Sequence, residues 1–228
     1  MRALAVLLAA GQGTRLGKDL PKALVRLRGR TLLEWSAAAL SRCPEVEAIQ
    51  IVLPPGFEPI ASSDARLLAP VEGGARRQDS VARGLAAGIA ARPDLEWVLV
   101  HDAARCLVEP GDASAVLRAA RATGAALPVV PASDTTKWLA ESGDRVERTL
   151  ARARLGFAQT PQVFRVQVLR EALDKAERDG FEGTDCASLV ERIGVEVRVC
   201  AGRPENFKVT HPEDLARAEA ALALRGET

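Results

Sequence analysis

The chain has 228 residues, of which 47% are hydrophobic, and a formal net charge of +1 at pH 7. This length favours one large domain with a substantial core, and the near-neutral charge gives no support for nucleic-acid or membrane-surface binding. Four dispersed cysteines and only two histidines disfavour a zinc site. No apolar run has the length of a membrane span and the N-terminal run lacks a signal-peptide pattern, so we expect a cytoplasmic protein.

An uncharged apolar run at residues 3–10 leads into a glycine-rich loop. Such a run favours a strand that is buried on both faces and ends in a turn. The segment after it contains three glycines and two cations: Gly11, Gly13, Gly17, Arg15 and Lys22. Glycine lets main-chain N–H groups approach an anion closely, so the segment predicts a triphosphate site. It matches neither G-x-G-x-x-G nor the Walker pattern, and a plain strand-to-helix connection is the alternative.

Predicted strands and helices alternate along the rest of the chain. Thr31, followed three positions later by Glu34, predicts a capping box at a helix start. Further strands are predicted at residues 23–27, 46–53, 66–71, 97–100, 126–130 and 195–200. Further helices are predicted at about 79–89, 112–123 and 166–179, within 184–194, and from His211 onward. This order predicts an α/β fold with a mostly parallel, Rossmann-like sheet flanked by helices.

Two later loops follow predicted strands. Residues 72–80 combine two glycines with two arginines, and Asp79 or Ser80 is predicted to cap the next helix. Asp102 comes just after the strand at 97–100, where a carboxylate is well placed to hold a divalent cation such as magnesium. A helix cap or a salt bridge with Arg105 is the alternative for Asp102. Ligands in open α/β sheets bind outside the carboxyl ends of the strands, so both loops are candidate site segments.

The alternation breaks between residues 131 and 162. Two short extended stretches flank a polar turn there, which predicts a β-hairpin or an extended arm on a single domain of residues 1–228. A lone hairpin is marginal in water, and an excursion of about thirty residues is expected to serve a function or to pack on something. We therefore predict a homodimer through this arm, with Trp138 or Leu139 buried in the interface.

The predicted strand ends carry several cations and one aspartate. A Ser-His-Asp pattern, a cysteine nucleophile context and a close carboxylate pair are absent from the sequence. A cationic site with a single strand-end carboxylate suits phosphate chemistry, in which a protein positions groups and stabilises charge at phosphorus.

Five motifs follow one another along the chain: Ala9-Ala10-Gly11-x-Gly13-x-Arg15, Pro21-Lys22, Gly73-Gly74-x-x-Arg77-x-Asp79-Ser80, Val100-His101-Asp102-Ala103-Ala104-Arg105 and Asn206-x-Lys208-Val209-Thr210. Together they resemble the 2-C-methyl-D-erythritol 4-phosphate cytidylyltransferase family. Other residues that fit the pattern are Thr149, Arg152, Thr160-Pro161-Gln162 and Thr184-Asp185. Each motif occurs in broader nucleotidyltransferases, but the ordered set covers nearly the whole chain and is specific.

The resemblance implies transfer of the cytidylyl group of CTP to 2-C-methyl-D-erythritol 4-phosphate, with release of pyrophosphate, in isoprenoid precursor synthesis. It assigns catalysis to Arg15, Lys22 and Lys208. It assigns nucleotide binding to Ala10, Gly11, Gly13, Gly74, Ser80 and Ala103. It assigns acceptor binding to Asp102, Arg105 and Lys208, and to Thr135 and Arg152 from the arm of a second copy. Asp102 would also hold the magnesium ion.

Three positions depart from the family pattern. Thr14 stands where a second arginine is frequent, Cys106 where proline is usual, and Cys186 where an acidic residue is frequent.

Three other functions remain open. The nearest alternative is a cytidylyltransferase for another polyol phosphate, such as ribitol 5-phosphate. A sugar-nucleotide or molybdopterin nucleotidyltransferase that uses a different base is the second alternative. A nucleotide-binding module without catalysis is the third, and the presence of both Lys22 and Asp102 argues against it.

Overall fold

A computed structural model describes residues 1–11, 20–57 and 62–226 of the chain. The strands are β1 (Ala3–Leu8), β2 (Arg26–Leu27), β3 (Arg30–Thr31), β4 (Val46–Leu53), β5 (Val71–Glu72), β6 (Trp97–Asp102), β7 (Ala125–Pro131), β8 (Lys137–Leu139), β9 (Val146–Thr149), β10 (Gly156–Ala158), β11 (Gln162–Arg165) and β12 (Arg198–Ala201). The helices are α1 (Leu32–Ser41), α2 (Arg77–Ala91), α3 (Pro110–Ala120), α4 (Val166–Arg178), α5 (Cys186–Glu191) and α6 (Pro212–Leu224).

A mostly parallel central sheet confirms the predicted α/β class. Its strand order is β10-β7-β11-β6-β1-β4-β5, and β12 pairs with β7. The pairs β1–β4, β1–β6, β4–β5 and β7–β12 are parallel, whereas β11 lies antiparallel between β6 and β7. In the described part of the chain, no helix is long and apolar enough to cross a membrane.

Helices cover both faces of the sheet because its central strands are apolar on both sides. Ala3, Ala5 and Leu7 of β1 point to the face covered by α1 and α3. Leu4 and Val6 point to the opposite face, where α2, α4 and α5 pack. The apolar run therefore forms a fully buried strand, as predicted. It brings its carboxyl end, and Gly11 that follows, to one edge of the sheet.

The capping box at Thr31 is confirmed. The N–H of Glu34 donates to Thr31 Oγ1 at 3.1 Å, and the N–H of Thr31 donates to Glu34 Oε2 at 2.6 Å. The predicted cap of the next helix is wrong, because α2 begins at Arg77 and Arg76 is its N-cap. Asp79 lies one turn inside, where its carboxylate accepts the N–H of Arg76 at 3.0 Å.

The predicted strand at residues 66–71 is largely wrong. Only Val71–Glu72 forms a strand, and Leu67 makes an isolated bridge with Ile49. Gln50 donates its side-chain amide to the carbonyl oxygen of Ala69 at 2.8 Å, and Pro70 has no N–H to continue a ladder.

The segment predicted as an arm contains a hairpin and two strands of the central sheet. β8 and β9 pair with each other as an antiparallel hairpin, which we call the arm hairpin. β10 and β11 instead return to the sheet and pair antiparallel with β7. The sequence missed this return because short strands inside a segment without clear periodicity resemble loop.

Candidate active site

The carboxyl ends of β1 and β6 lie side by side, because these strands are parallel and in register. Leu8 is opposite Asp102, and the N–H of Ala103 donates to the carbonyl oxygen of Leu8 at 2.9 Å. Gly11, which follows β1, therefore starts its loop at the same sheet edge as Asp102. This edge is where ligands of open α/β sheets bind.

Asp102 is the centre of a charged cluster at this edge. Its Oδ1 lies 3.0 Å from Arg77 Nη2, and its Oδ2 lies 2.8 Å from Lys208 Nζ. The Asp102 side chain is only 12% exposed, whereas that of Lys208 is 41% exposed. Among the described residues, its ion pairs are with these two cations and not with Arg105. The carboxylate is therefore largely buried and paired with both cations, whereas the ammonium of Lys208 remains accessible to a ligand.

The electrostatics keep Asp102 ionised. Burial by itself would raise the pKa of this carboxyl, but the charges of Arg77 and Lys208 and their hydrogen bonds outweigh burial. Together they hold the pKa of Asp102 well below its usual range. The cluster therefore presents one carboxylate and two cations, a net positive site suited to an anionic ligand.

The Gly73-Gly74 loop packs directly against the start of the glycine loop. A Cβ added at Gly73 would lie 2.4 Å from the Cβ of Ala10 and 2.9 Å from Ser80 Oγ. The N–H of Gly74 donates to Ser80 Oγ at 3.0 Å. Ala10, Gly74 and Ser80, all assigned to the nucleotide by the resemblance, are therefore neighbours. Close packing explains why the sequence needs glycine at position 73.

The guanidinium of Arg105 donates hydrogen bonds to main-chain carbonyl oxygens. Nη1 donates to the carbonyl oxygen of Asn206 at 2.9 Å, and Nη2 donates to that of Ala158 at 3.1 Å. Burial lowers the pKa of Arg105 below its ordinary value. The loop of Lys208 is anchored here as well, because the N–H of Val209 donates to the carbonyl oxygen of Ala104 at 2.8 Å. The predicted acceptor residues Asp102, Arg105 and Lys208 thus lie together.

The remaining predicted residues fall into three groups. Lys22 opens a short 3-10 turn, Lys22–Leu24, directly after Pro21. Thr135 and Arg152 lie at the base of the arm hairpin and are exposed, and Arg152 Nη1 donates to the carbonyl oxygen of Ser133 at 3.0 Å. Gly13 and Arg15 lie outside the described residues.

Arg77 is a site residue to which the sequence assigned no role. In the sequence it appears only as a member of the Gly73-Gly74 motif, although an arginine at a helix start that follows a strand could have indicated a site residue. Its Nη1 lies 3.3 Å from the Sγ of Cys186, one of the positions that depart from the family pattern. Burial raises the pKa of the Cys186 thiol, so it faces Arg77 as a neutral group. Cys106 is buried too, and burial raises its pKa to about 12.

Comparison with known proteins identifies the family. The profile described as "IspD: 2-C-methyl-D-erythritol 4-phosphate cytidylyltransferase" matches residues 3–224. The chain belongs to this cytidylyltransferase family. The match covers each segment that forms the candidate site, from β1 to the loop of Lys208.

Individual members of the cytidylyltransferase family agree with this assignment. The 2-C-methyl-D-erythritol 4-phosphate cytidylyltransferase of Thermus thermophilus is 46% identical over 212 residues, which cover 93% of each chain. A crystal structure of the enzyme from that organism superposes with a TM-score of 0.80 at 41% identity, covering 98% of this chain and all of that one. A bifunctional enzyme IspD/IspF of a Bradyrhizobium species is 44% identical over 228 residues. This chain spans 57% of the length of that bifunctional relative.

Proposed function

We propose that this chain transfers the cytidylyl group of CTP to 2-C-methyl-D-erythritol 4-phosphate. A phosphate oxygen of the acceptor attacks the α-phosphorus of CTP, the bond from that phosphorus to the bridging oxygen breaks, and pyrophosphate leaves. Family membership supports the substrates and the isoprenoid precursor role. The observation that supports the proposal is that Ala10 and Gly11, the Gly73-Gly74 loop and the Asp102–Lys208 pair share one edge of the sheet, as a nucleotide site beside an acceptor site would require.

The proposal assigns a role to each cation. Lys22 and Arg15 hold the triphosphate and meet the charge that develops on the leaving pyrophosphate. Lys208 and Arg105 bind the acceptor phosphate, with Asp102 orienting Lys208. Loss of one donor to such developing charge typically costs a factor of about one hundred in rate. We therefore expect Lys22→Ala to reduce kcat by about this factor.

The proposal includes a magnesium ion bound together with CTP. No group of three or more His, Cys, Asp or Glu side chains in residues 1–11, 20–57 and 62–226 could hold a metal ion. Magnesium favours one or two carboxylates together with substrate phosphates. Asp102 offers one such carboxylate, but its two oxygens are paired with Arg77 and Lys208, so the substrate phosphates would supply most of the ligands. When bound with CTP, magnesium would neutralise charge on the triphosphate.

The proposal includes a homodimer formed through the arm hairpin. Trp138, Leu139 and Val146 are about half exposed, at 51%, 49% and 53%. A two-stranded hairpin gains little stability alone, and three large apolar side chains on it favour contact with another surface. In such a dimer, Thr135 and Arg152 would approach the acceptor site of the second copy.

The cytoplasmic location of the protein stays a prediction.

One assay tests the function. Pyrophosphate release is measured with CTP, ATP, GTP and UTP, each combined with 2-C-methyl-D-erythritol 4-phosphate or ribitol 5-phosphate, with and without magnesium. We expect release with CTP and 2-C-methyl-D-erythritol 4-phosphate in the presence of magnesium. Absence of release with this pair at every magnesium concentration would refute the proposal. Preference for ribitol 5-phosphate would establish the alternative acceptor.

A further inference from the structure

The side chain of Arg203 joins the loop of Lys208 to the start of α3. Its Nε lies 2.8 Å from Asp112 Oδ1, its Nη1 lies 2.7 Å from Glu109 Oε1, and its Nη2 donates to the carbonyl oxygen of Leu107 at 3.0 Å. A guanidinium holds its donors in a planar fork, which lets one side chain meet three acceptors of a single short segment. The loop after β12 is therefore tied to the segment that opens α3.

The main chain of Arg203 is held as well, by the side chain of Gln159. The N–H of Arg203 donates to Gln159 Oε1 at 3.2 Å, and the side-chain amide of Gln159 donates to the carbonyl oxygen of Arg203 at 2.8 Å. Gln159 is only 5% exposed, so water competes little for these bonds. A Cβ added at Gly202 would lie 2.7 Å from Gln159 Oε1, so the loop packs tightly on this side chain.

The turn that begins at Arg203 leads directly to Lys208. The N–H of Asn206 donates to the carbonyl oxygen of Arg203 at 2.9 Å, which closes the turn two residues before Lys208. The acceptors of the guanidinium begin at Leu107, two residues after Arg105. Arg203 thus connects the loop of Lys208 to the segment that follows Arg105. These two segments carry the proposed acceptor-binding groups.

We propose that Arg203 is a positioning residue for Lys208 in the binding of the phosphomonoester acceptor, with Gln159 supporting its main chain. Arg203 contacts no substrate itself and acts by fixing the turn before Lys208 relative to the segment after Arg105. The role in acceptor binding rests on the proposed function. The nucleotide-binding glycines take no part in these hydrogen bonds, so the effect falls on the acceptor and not on CTP.

The first test separates the acceptor from the nucleotide. Arg203→Met keeps an aliphatic side chain and removes the three contacts of the guanidinium. We expect the KM for the acceptor to rise by about tenfold while the KM for CTP stays within about twofold, since small misplacements of binding groups have large effects. Equal changes in the two KM values would refute the positioning role.

Arg225→Met is the matched control, because Arg225 contacts two of the same acceptors from the end of α6. Its Nη2 donates to the carbonyl oxygen of Leu107 at 3.1 Å and lies 3.2 Å from Glu109 Oε1. Its loss disturbs the start of α3 without releasing the loop of Lys208, so both KM values should stay close to those of the unaltered protein. Equal effects of the two methionine variants would reduce Arg203 to a general support of α3 and refute the proposal.

The second test asks whether Arg203 acts through Lys208. A double-mutant cycle combines Arg203→Met with Lys208→Ala and follows kcat/KM for the acceptor. If Arg203 only positions Lys208, its loss has no ammonium left to displace, and the double variant should match Lys208→Ala within about twofold. Multiplicative effects of the two replacements would show that Arg203 acts independently of Lys208 and would overturn the proposal.

A measurement on the unaltered protein decides the case in which Arg203→Met does not fold. Amide hydrogen exchange, followed by NMR without any ligand, should show protection of the N–H groups of Arg203 and Asn206. Exchange at the rate of an unstructured peptide would mean that the loop is not held before the acceptor binds, and would refute the positioning role.

The outcomes also separate this inference from the proposed function. Normal pyrophosphate release combined with unchanged acceptor KM in Arg203→Met would refute the positioning role and leave the function intact. Failure of the unaltered protein to release pyrophosphate would refute the function and the acceptor role together.

Discussion

The ammonium of Lys208 lies 2.8 Å from Oδ2 of Asp102, although 106 positions separate the two residues in the chain. The pair joins the end of β6 to the loop before α6. Because Arg77 occupies the other carboxylate oxygen, Asp102 can release Lys208 to a phosphate without becoming an unpaired buried charge. This arrangement predicts different consequences for the loss of each cation.

Lys208→Ala is expected to impair acceptor binding and turnover while sparing the fold. The Lys208 side chain is 41% exposed, and Asp102 keeps Arg77 as its partner. Losing a cation aimed at a reacting phosphate costs about a hundredfold in kcat/KM for the acceptor. Steady-state kinetics and thermal unfolding measure the two effects, and Lys208→Arg should restore part of the activity. A large loss of stability with normal kcat/KM would contradict this role.

Arg77→Ala is expected to destabilise the protein as well as reduce activity. Arg77 is the inner partner of Asp102, and hydrogen bonds to charged groups contribute about 2 kcal/mol each. We expect a loss of about this size in the free energy of unfolding in urea.

Arg92→Ala is the matched control just after α2, because Arg92 is about as exposed as Arg77 but pairs with Glu47 and Asp94, which are 30% and 45% exposed against 12% for Asp102. Surface ion pairs contribute little, so stability and turnover should stay close to those of the unaltered protein. If the two alanine variants were equally stable, Arg77 would not be the structural partner of Asp102.

Gly73→Ala is expected to damage the nucleotide site selectively. Its new Cβ would lie 2.4 Å from the Cβ of Ala10 and must displace the start of the glycine loop. Overpacking of this kind typically costs about 1–3 kcal/mol. We expect the KM for CTP to rise more than the KM for the acceptor. Gly111→Ala is the control, since a Cβ there meets nothing within 4 Å; comparable kinetics for both variants would count against the clash.

The stability of the protein should fall as the pH drops from about 6.5 to about 4. Burial lowers the pKa of His101 to about 4, so the unfolded chain binds this proton more readily than the folded one. The stabilisation is complete above pH 6.5 and is lost on acidification, up to about 3 kcal/mol. Urea unfolding across this range measures it.

The variant His101→Gln should flatten the pH dependence of stability in that interval. His211→Asn is the control, because it replaces the exposed histidine and keeps the buried one. An unchanged slope in the His101 variant would show that other groups cause the loss of stability.

The arm hairpin is expected to hold two copies together. Replacing Trp138 and Leu139 by serine removes two large exposed apolar groups and should convert a dimer into monomers in sedimentation velocity experiments. Leu224→Ser is the control, because Leu224 is 91% exposed at the end of α6. A monomeric unaltered protein, or loss of the dimer in the control as well, would contradict an interface at the arm.

The sequence alone determined the elements whose stabilising contacts are local or follow from a simple pattern. The apolar run of β1 and the capping box between Thr31 and Glu34 were predictable for this reason. The glycine motifs and the strand-end aspartate indicated the region of the site and, through the family resemblance, the chemistry. Each of these signals is contained within a few neighbouring residues of the chain.

Only the tertiary structure decided which of these groups meet. The antiparallel insertion of β11 between β6 and β7 places Thr160 beside His101, although 59 positions separate them. The pairing of Asp102 with Arg77 and Lys208, rather than with nearby Arg105, depends on the same sheet packing. Such contacts join segments that are distant in the chain, and periodicity and spacing carry no information about strand order.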